Sequence, residues 1–296
     1  MAIWGWIVLS SCAMSAFEAP HLVQNSLSTT SPILGTRIQV LSWNVHKETE
    51  TDFVTDLEHL VDAGNVDIVL LQEAGVAGDS SPVLRALGNR HWALSANLAE
   101  EEMRYGVLVA SRARPIETQA LLSQGVEPIV GTAKPALLTR YAIGSDTLTV
   151  VNIHALNFSP HLDGFRQQIS RIAEAIGSTT GPALVAGDFN TWSTAKGFIV
   201  DSILGRSGFV AVDFGNQGSK RTTAFGRPLD HVYYTPRYLA IDPTRIHVHD
   251  SIRSSDHVPI EVGFRLNPTG FLPVSPKPSS GFGAPNPDMS ETVPSF

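Results

Sequence analysis

The chain has 296 residues, 43% of them hydrophobic, with 21 Lys+Arg against 28 Asp+Glu and a formal charge of −7. That length allows one large domain or two small ones with a sizeable core, and the acidic balance excludes a protein that grips nucleic acid by bulk positive charge. The single cysteine, Cys12, excludes an internal disulfide framework and any cysteine-rich zinc site.

In chain order, residues 1–19 come first. A short apolar run, Ile3 to Leu9, leads into small residues ending Ala13-Met14-Ser15-Ala16. This resembles a secretory signal. Leu9-Ser10-Ser11-Cys12 resembles a bacterial lipoprotein cleavage box, which would make Cys12 a membrane tether, although no Lys or Arg precedes the run. An exported or envelope-associated protein and a cytoplasmic one are the two expectations for location. Residues 20–36 read as a spacer, 37–266 as the folded domain, and 267–296, rich in Pro, Ser and Gly, as a disordered tail.

Inside the domain, strands and helices alternate. Ile38–Trp43 reads as a strand, and Thr51–Ala63 as a helix from the spacing of Phe53, Val54, Leu57, Leu60 and Val61. Val66–Leu71 reads as a buried strand and Pro82–Leu87 as a short helix. Gly106–Ala110, Ala136–Ile143 and Leu148–Ile153 read as strands. Gly164–Ile176 is predicted helical, with Phe165, Ile169, Ile172 and Ile176 on one stripe. Ala183–Ala186 is a strand, a helix starts near Ser193, and His231–Tyr234 and Ile260–Phe264 are the last strands. Two strand-rich halves flanked by helices imply a four-layer α/β/β/α sandwich of two mixed sheets.

Most of these apolar runs border a short polar motif: Ser42-Trp43-Asn44, Leu71-Gln72-Glu73, Asn152-Ile153-His154, Gly187-Asp188-Phe189-Asn190, Leu229-Asp230-His231 and Ser255-Asp256-His257. A carboxylate, amide or imidazole at a strand end can meet others from distant parts of the chain. Each alone could be a turn or a strand terminator. Asp188 and Asn190 face one side in an extended stretch, as do Asn152 and His154. Asp230 can hydrogen-bond a histidine from elsewhere and fix its tautomer. Together, Asn, Glu, two His and several Asp suit a hard divalent cation and phosphate chemistry.

The order and wording of these motifs resemble the endonuclease/exonuclease/phosphatase superfamily over about Arg37 to Leu266, most specifically Gly-Asp-Phe-Asn with the terminal Ser-Asp-His. The finer wording, Asn152 to Phe158 and Gly187 to Trp192, resembles an uncharacterised bacterial branch. The resemblance implies that Asn44 and Glu73 hold Mg²⁺, or Mn²⁺ in its place, with Glu73 as the direct ligand and Asp256 completing the metal side. It implies that Asp188 orients or deprotonates the attacking water and that Asn190 helps bind the scissile phosphate. His257, paired with Asp230, would be a base or phosphate ligand, and His154 would contact the phosphate or leaving oxygen. Tyr105 and Asn152 fall near family catalytic positions. Arg221 and Arg227, in a basic loop before Asp230, would touch an anionic substrate. His231 stands where many members carry Tyr.

The expected activity is a metal-dependent phosphodiesterase, first of all an endonuclease on DNA or RNA. A lipid-headgroup or inositol phosphate phosphoesterase is the enzymatic alternative, and a non-catalytic envelope binding protein on the same fold is the alternative of another class. A monomer is expected.

Overall fold

The computed structural model describes residues 14–25 and 31–267, apart from 32, 49, 51, 79–80, 128–130, 159–161 and 178–180. Cys12, the apolar run before it and the tail from 268 onward lie outside the described residues. The strands are β1 (Ser15–Gln24), β2 (Ile33–Leu34), β3 (Arg37–Asn44), β4 (Ile68–Val76), β5 (His91–Glu100), β6 (Met103–Ser111), β7 (Glu117–Val126), β8 (Ala133–Ile143), β9 (Asp146–His154), β10 (Ala183–Asp188), β11 (Val210–Ala211), β12 (Thr223–Ala224), β13 (Arg227–Pro228), β14 (Asp230–Tyr234), β15 (Leu239–Val248) and β16 (Ile260–Leu266). The helices are α1 (Phe53–Ala63), α2 (Pro82–Leu87), α3 (Asp163–Ile176) and α4 (Thr194–Arg206).

Strand periodicity builds the layers. On β9, Leu148 and Val150 point into the space between two sheets, while Val151 and Ile153 point the other way, under α3 and α4. A strand buried on both faces must be apolar at every position, which is why these runs lack clean alternation. The first sheet runs β1-β5-β6-β4-β3-β16-β15, and the second β11-β14-β10-β9-β8-β2, with β7 also pairing β8. Val40, Leu70, Val107, Val150, Ala186, Val232 and Val262 fill the space between them. Helices α1 and α2 cover the outer face of the first sheet through Phe53, Leu57, Val83 and Leu87. Helices α3 and α4 cover the second through Phe165, Ile169, Ile199 and Val200. This is the expected four-layer sandwich. Burial of each such side chain contributes about 1.5–3 kcal/mol.

Helices α1 and α3 bury the predicted stripes, Phe53/Leu57/Leu60/Val61 and Phe165/Ile169/Ile172/Ile176. Ser193 caps α4, its side chain accepting from the Lys196 amide. Three readings need correction. Residues 15–24 form β1, which pairs antiparallel with β5, so the sheet begins well before residue 37, and part of the expected spacer is strand. Strand β4 does not stop at Leu71 but continues to Val76 through a bulge opposite β6. Strands β5, β7 and β15 were not expected at all; β5 reads HWALSANLAE, too rich in Ala, Ser and Asn to signal a strand by propensity.

Gly187, in β10, has φ 139, and a Cβ there would lie 2.1 Å from the Ile153 carbonyl oxygen of β9. Any side chain would force the two parallel strands apart. Gly187→Ala should therefore cost about 3 kcal/mol or more, and a denaturant unfolding curve unchanged from the parent would contradict this packing.

Candidate active site

At one edge of the sandwich the inner faces of both sheets turn from apolar to polar. Parallel pairing of β9 with β10 sets His154 beside Asp188, and antiparallel pairing of β10 with β14 sets Asp230 opposite Asp188. The row His154–Asp188–Asp230 thus continues the face that carries Val150, Ala186 and Val232 inside. Asn44 ends the equivalent face of β3, and Glu73 projects from the β4 bulge with a left-handed φ of 57. A bulge re-aims a side chain that regular pairing would have turned into a sheet face.

The side chains meet as follows. Asn44 Nδ2 donates to Asp188 Oδ2 at 3.2 Å, and the Asn190 amide donates to Asp188 Oδ1 at 2.8 Å. His257 Nδ1 lies 2.9 Å from Asp230 Oδ2, and its Nε2 is 3.9 Å from Asp188 Oδ2. His154 Nε2 is 3.5 Å from Asp188 Oδ2 and 3.8 Å from Glu73 Oε1. The His257 loop is fixed from below: Trp43 Nε1 donates to the His257 carbonyl at 2.9 Å, and Ser255 Oγ to the Asn44 carbonyl at 2.6 Å. Asp256 in that loop is exposed.

Burial and neighbouring charge set the protonation states. Asp188 is pushed up to about 6 by burial and, further, by Asp230, with His257 opposing. Burial alone would lower His257, but Asp230, hydrogen-bonded to it, and the charges of Asp188 and Asp256 overcome this and raise it to about 10. His257 is therefore held toward the imidazolium at neutral pH, which suits the phosphate-ligand role rather than the base role among the two that the resemblance implied. His154 is held well below its ordinary value by burial, Lys134 and His257, so it is neutral. Burial raises Glu48 to about 7 despite its hydrogen bond from the Gly75 amide.

Two other expected site residues have different work. Asn152 is fully buried between the sheets; its Nδ2 donates to the carbonyls of Leu71 and Leu108, and its Oδ1 accepts from Gln72. It ties one sheet to the other. Arg221 turns inward, donating to the Asp230 and Gly218 carbonyls with its guanidinium over the Phe214 ring, so it braces the start of β14. Asn190, besides contacting Asp188, donates to the Ala155 carbonyl and so holds the loop after β9.

Beside the cluster lies a groove of about 230 Å³, lined among others by Glu73, Tyr105, Lys134, His154 and Asn157; neither Arg221 nor Arg227 lines it. Its cations are Lys47 and Lys134. Lys134 Nζ is 3.2 Å from His154 Nε2 and 3.5 Å from Glu127 Oε2. Glu48 accepts the Gly75 amide at 2.7 Å and so pins the strand just beyond Glu73. Lys196, buried within α4, donates to the carbonyls of Leu156 and Asn157. None of Lys134, Glu127, Glu48 and Lys196 was foreseen, because none sits in a motif and each becomes informative only through its partner.

The donor set suits a hard cation. Glu73 is partly open to the groove, Asn44 stands beside Asp188, and the Asp188 and Glu48 carboxyls, raised mainly by burial, would be favoured as carboxylates by a nearby cation. Among the described residues no three or more His, Asp or Glu form a metal cage. Mg²⁺ needs none, since it takes one or two carboxylates and keeps several waters.

With this geometry in view, comparison with known proteins is direct. The sequence profile of the endonuclease/exonuclease/phosphatase family matches residues 41–257, and the chain belongs to that family, which includes nucleases and phosphodiesterases. It is 31% identical over 230 residues to a UPF0294 protein of Vibrio cholerae, covering 77% of this chain and 78% of the relative. It is 31% identical over 260 residues to a UPF0294 protein of Erwinia tasmaniensis, covering 86% and 91%. The endonuclease/exonuclease/phosphatase of Beutenbergia cavernae shares the fold at TM-score 0.60 and 17% identity, covering 78% of this chain and 72% of that one. Truncated Caenorhabditis elegans TDP2 does so at TM-score 0.56 and 18% identity, covering 77% and 97%.

Two outcomes follow from the site. Asn152→Ala should destabilise the fold by about 2–4 kcal/mol, because it removes the shortest hydrogen bond of Gln72 and the Asn152 donors to the Leu71 and Leu108 carbonyls in a dry interior; unaltered unfolding with lost turnover would instead return Asn152 to a catalytic role. A reaction that needs the Asp188 carboxylate and the His257 imidazolium rises as pH passes about 6 and falls as it passes about 10. Asp230→Asn removes the charge that raises both groups, so both limbs of the pH–rate profile should move to lower pH, the alkaline one further; limbs that stay in place would break the assignment.

Proposed function

We propose that this chain is a divalent-metal-dependent phosphodiesterase, with Mg²⁺ as the preferred ion. The observation that carries the proposal is the in-register row His154–Asp188–Asp230 facing Asn44 and Glu73 across the edge of the two sheets, with the His257 cation between. A binding protein would gain nothing from burying Asp188 beside a second carboxylate, which costs stability even with His257 against it. An enzyme that needs a base poised near neutral pH does.

Glu73 would hold the ion with Asn44 and with Asp256 on the exposed side, and the ion when bound would neutralise charge on the phosphate. Asp188, aligned by Asn44 and by the Asn190 amide, would orient the attacking water and take its proton. His257, kept protonated by Asp230, would donate to a non-bridging oxygen as charge develops there. Neutral His154, with Lys134 against its Nε2, would face the phosphate or leaving oxygen. Tyr105 would wall the groove with its phenol protonated, since burial and the charges of Glu100 and Glu48 raise it. Positioned groups of this kind supply most of the barrier reduction in phosphoryl chemistry.

Turnover of bis(p-nitrophenyl) phosphate across a Mg²⁺ titration tests the reading. Glu73→Gln should lower activity by roughly 100-fold or more at limiting Mg²⁺, with the thermal midpoint little changed because the side chain is partly exposed. Full turnover of the parent in excess chelator would refute the metal-assisted mechanism.

A further inference from the structure

A second cavity, of about 310 Å³, opens on the outer face of the first sheet, and its lining shares no residue with the catalytic groove. Strand alternation builds it. On β15, Ile246 and Val248 face the space between the sheets, so His247 and His249 face outward, with Arg245 beside them. On β16, Ile260 and Val262 face inward, so Glu261 points outward, and the antiparallel register sets it opposite His247. Helix α1 covers this face and adds His59 and its C-terminal end at Gly64.

Glu261 is the fixed member. It is 3% exposed; its Oε1 accepts from Gln39 Nε2 at 2.6 Å, and its Oε2 lies 2.9 Å from His249 Nε2. Gly64 permits a close approach, since a Cβ there would lie 2.9 Å from Glu261 Oε1. A buried carboxylate therefore packs against the last turn of a helix, where free carbonyls already carry partial negative charge. Arg245 offsets part of this by donating to the Gly64 carbonyl at 3.2 Å. Among the described residues, however, Glu261 forms its ion pair with His249 and not with Arg245. Two negative groups meeting away from water favour a cation between them and the imidazoles.

The imidazoles decide which cation. His247 and His249 stand two apart on one strand face, with ring centroids 6.0 Å apart. His59 and His247 are exposed, and among the described residues neither makes a hydrogen bond or an ion pair. Nitrogen donors with one carboxylate suit Zn²⁺ and its neighbours, whereas Mg²⁺ and Ca²⁺ prefer oxygen alone. The Gln39 amide, bonded to the Glu261 carboxylate, is the kind of outer support that aims a ligating oxygen. Among the described residues the donors do not yet converge as a cage. His249 and Glu261 are already together, and the two exposed imidazoles would turn inward to complete the set.

We propose that His59, His247, His249 and Glu261 form a second metal site, selective for a borderline transition ion of the Zn²⁺ kind. The ion would take the place of the His249–Glu261 hydrogen bond and fasten α1 to β15 and β16. His249 and Glu261 also bracket the segment that carries Asp256 and His257, and the His249 amide donates to the Pro259 carbonyl at 3.0 Å. The ion would thus sit at the root of the His257 loop.

The test titrates Zn²⁺ into the full chain, free of any histidine tag, by calorimetry with Mg²⁺ in excess. The comparison is with His59→Ala/His247→Ala, which changes two exposed side chains and leaves the buried Glu261–His249 pair intact. Zn²⁺ taken up by the catalytic cluster is common to both proteins, so their difference reads the second site. The parent should bind one Zn²⁺ more than the variant, or bind it at least about ten-fold more tightly. Its thermal midpoint should rise with Zn²⁺ by more than the variant's does. Identical Zn²⁺ isotherms for the two proteins, or a parent that takes up no Zn²⁺, would overturn the proposal. A Mg²⁺ titration that separates the two proteins as strongly as Zn²⁺ does would overturn the assigned ion class. Binding is read without turnover, so the outcome does not depend on the phosphodiesterase reading.

Discussion

Asp188 is a carboxylate at the edge of a hydrophobic interior, 1% exposed, with a second carboxylate directly across the ladder. Such a group costs stability unless donors surround it. Asn44, the Asn190 amide and His257 supply them, and each belongs to a different segment of the chain. The ends of β3, β10 and β14 and the loop before β16 therefore hold one another in place through Asp188. The same need explains His257: with Asp230 on one nitrogen and Asp188 near the other, its proton is the charge that lets two acids lie together.

Position matters as much as charge, and the two sheets fix it. Their inner faces are mostly apolar, and Gln72 and Asn152 form a polar crossing that bridges β4 to β9 beneath the site. Buried amides with most of their bonding capacity satisfied by backbone permit only one lateral register, whereas aliphatic surfaces tolerate several. The crossing lies one residue from Glu73 and two from His154, so it relates the carboxylate on one sheet to the imidazole on the other. Gln72 Oε1 is left without a hydrogen-bond partner, the one incomplete member of this tie.

Around the center the protein separates two kinds of surface. The groove holds the cations Lys47 and Lys134, though the chain as a whole is acidic. Attraction for a phosphate is thus local, short in range and strongest where water is excluded. Beyond Asn157 the rim turns apolar and aromatic.

The amino-acid sequence by itself determined the class of fold and the list of reactive ends. Strands such as β9 and β10 are short apolar runs with a polar terminus, α1 and α3 carry unmistakable stripes, and Asp230 and His257 announce a pair by chemistry alone. Tertiary structure decided what those residues do. Asn152 and His154 share a face and look alike in sequence, yet Asn152 meets the carbonyls of the other sheet and His154 meets Asp188 and Lys134. Arg221 looked like a substrate ligand until Phe214 and the Asp230 carbonyl claimed it. Strand β5 has almost no intrinsic strand signal and exists because β1 and β6 pair with it from both sides. The charge of His257 depends on carboxylates tens of residues away. Periodicity and residue type are local and survive in one dimension. Partner choice, protonation state and register are set by long-range pairing, burial and the electrostatics of neighbours, and these come into being only when the chain has folded.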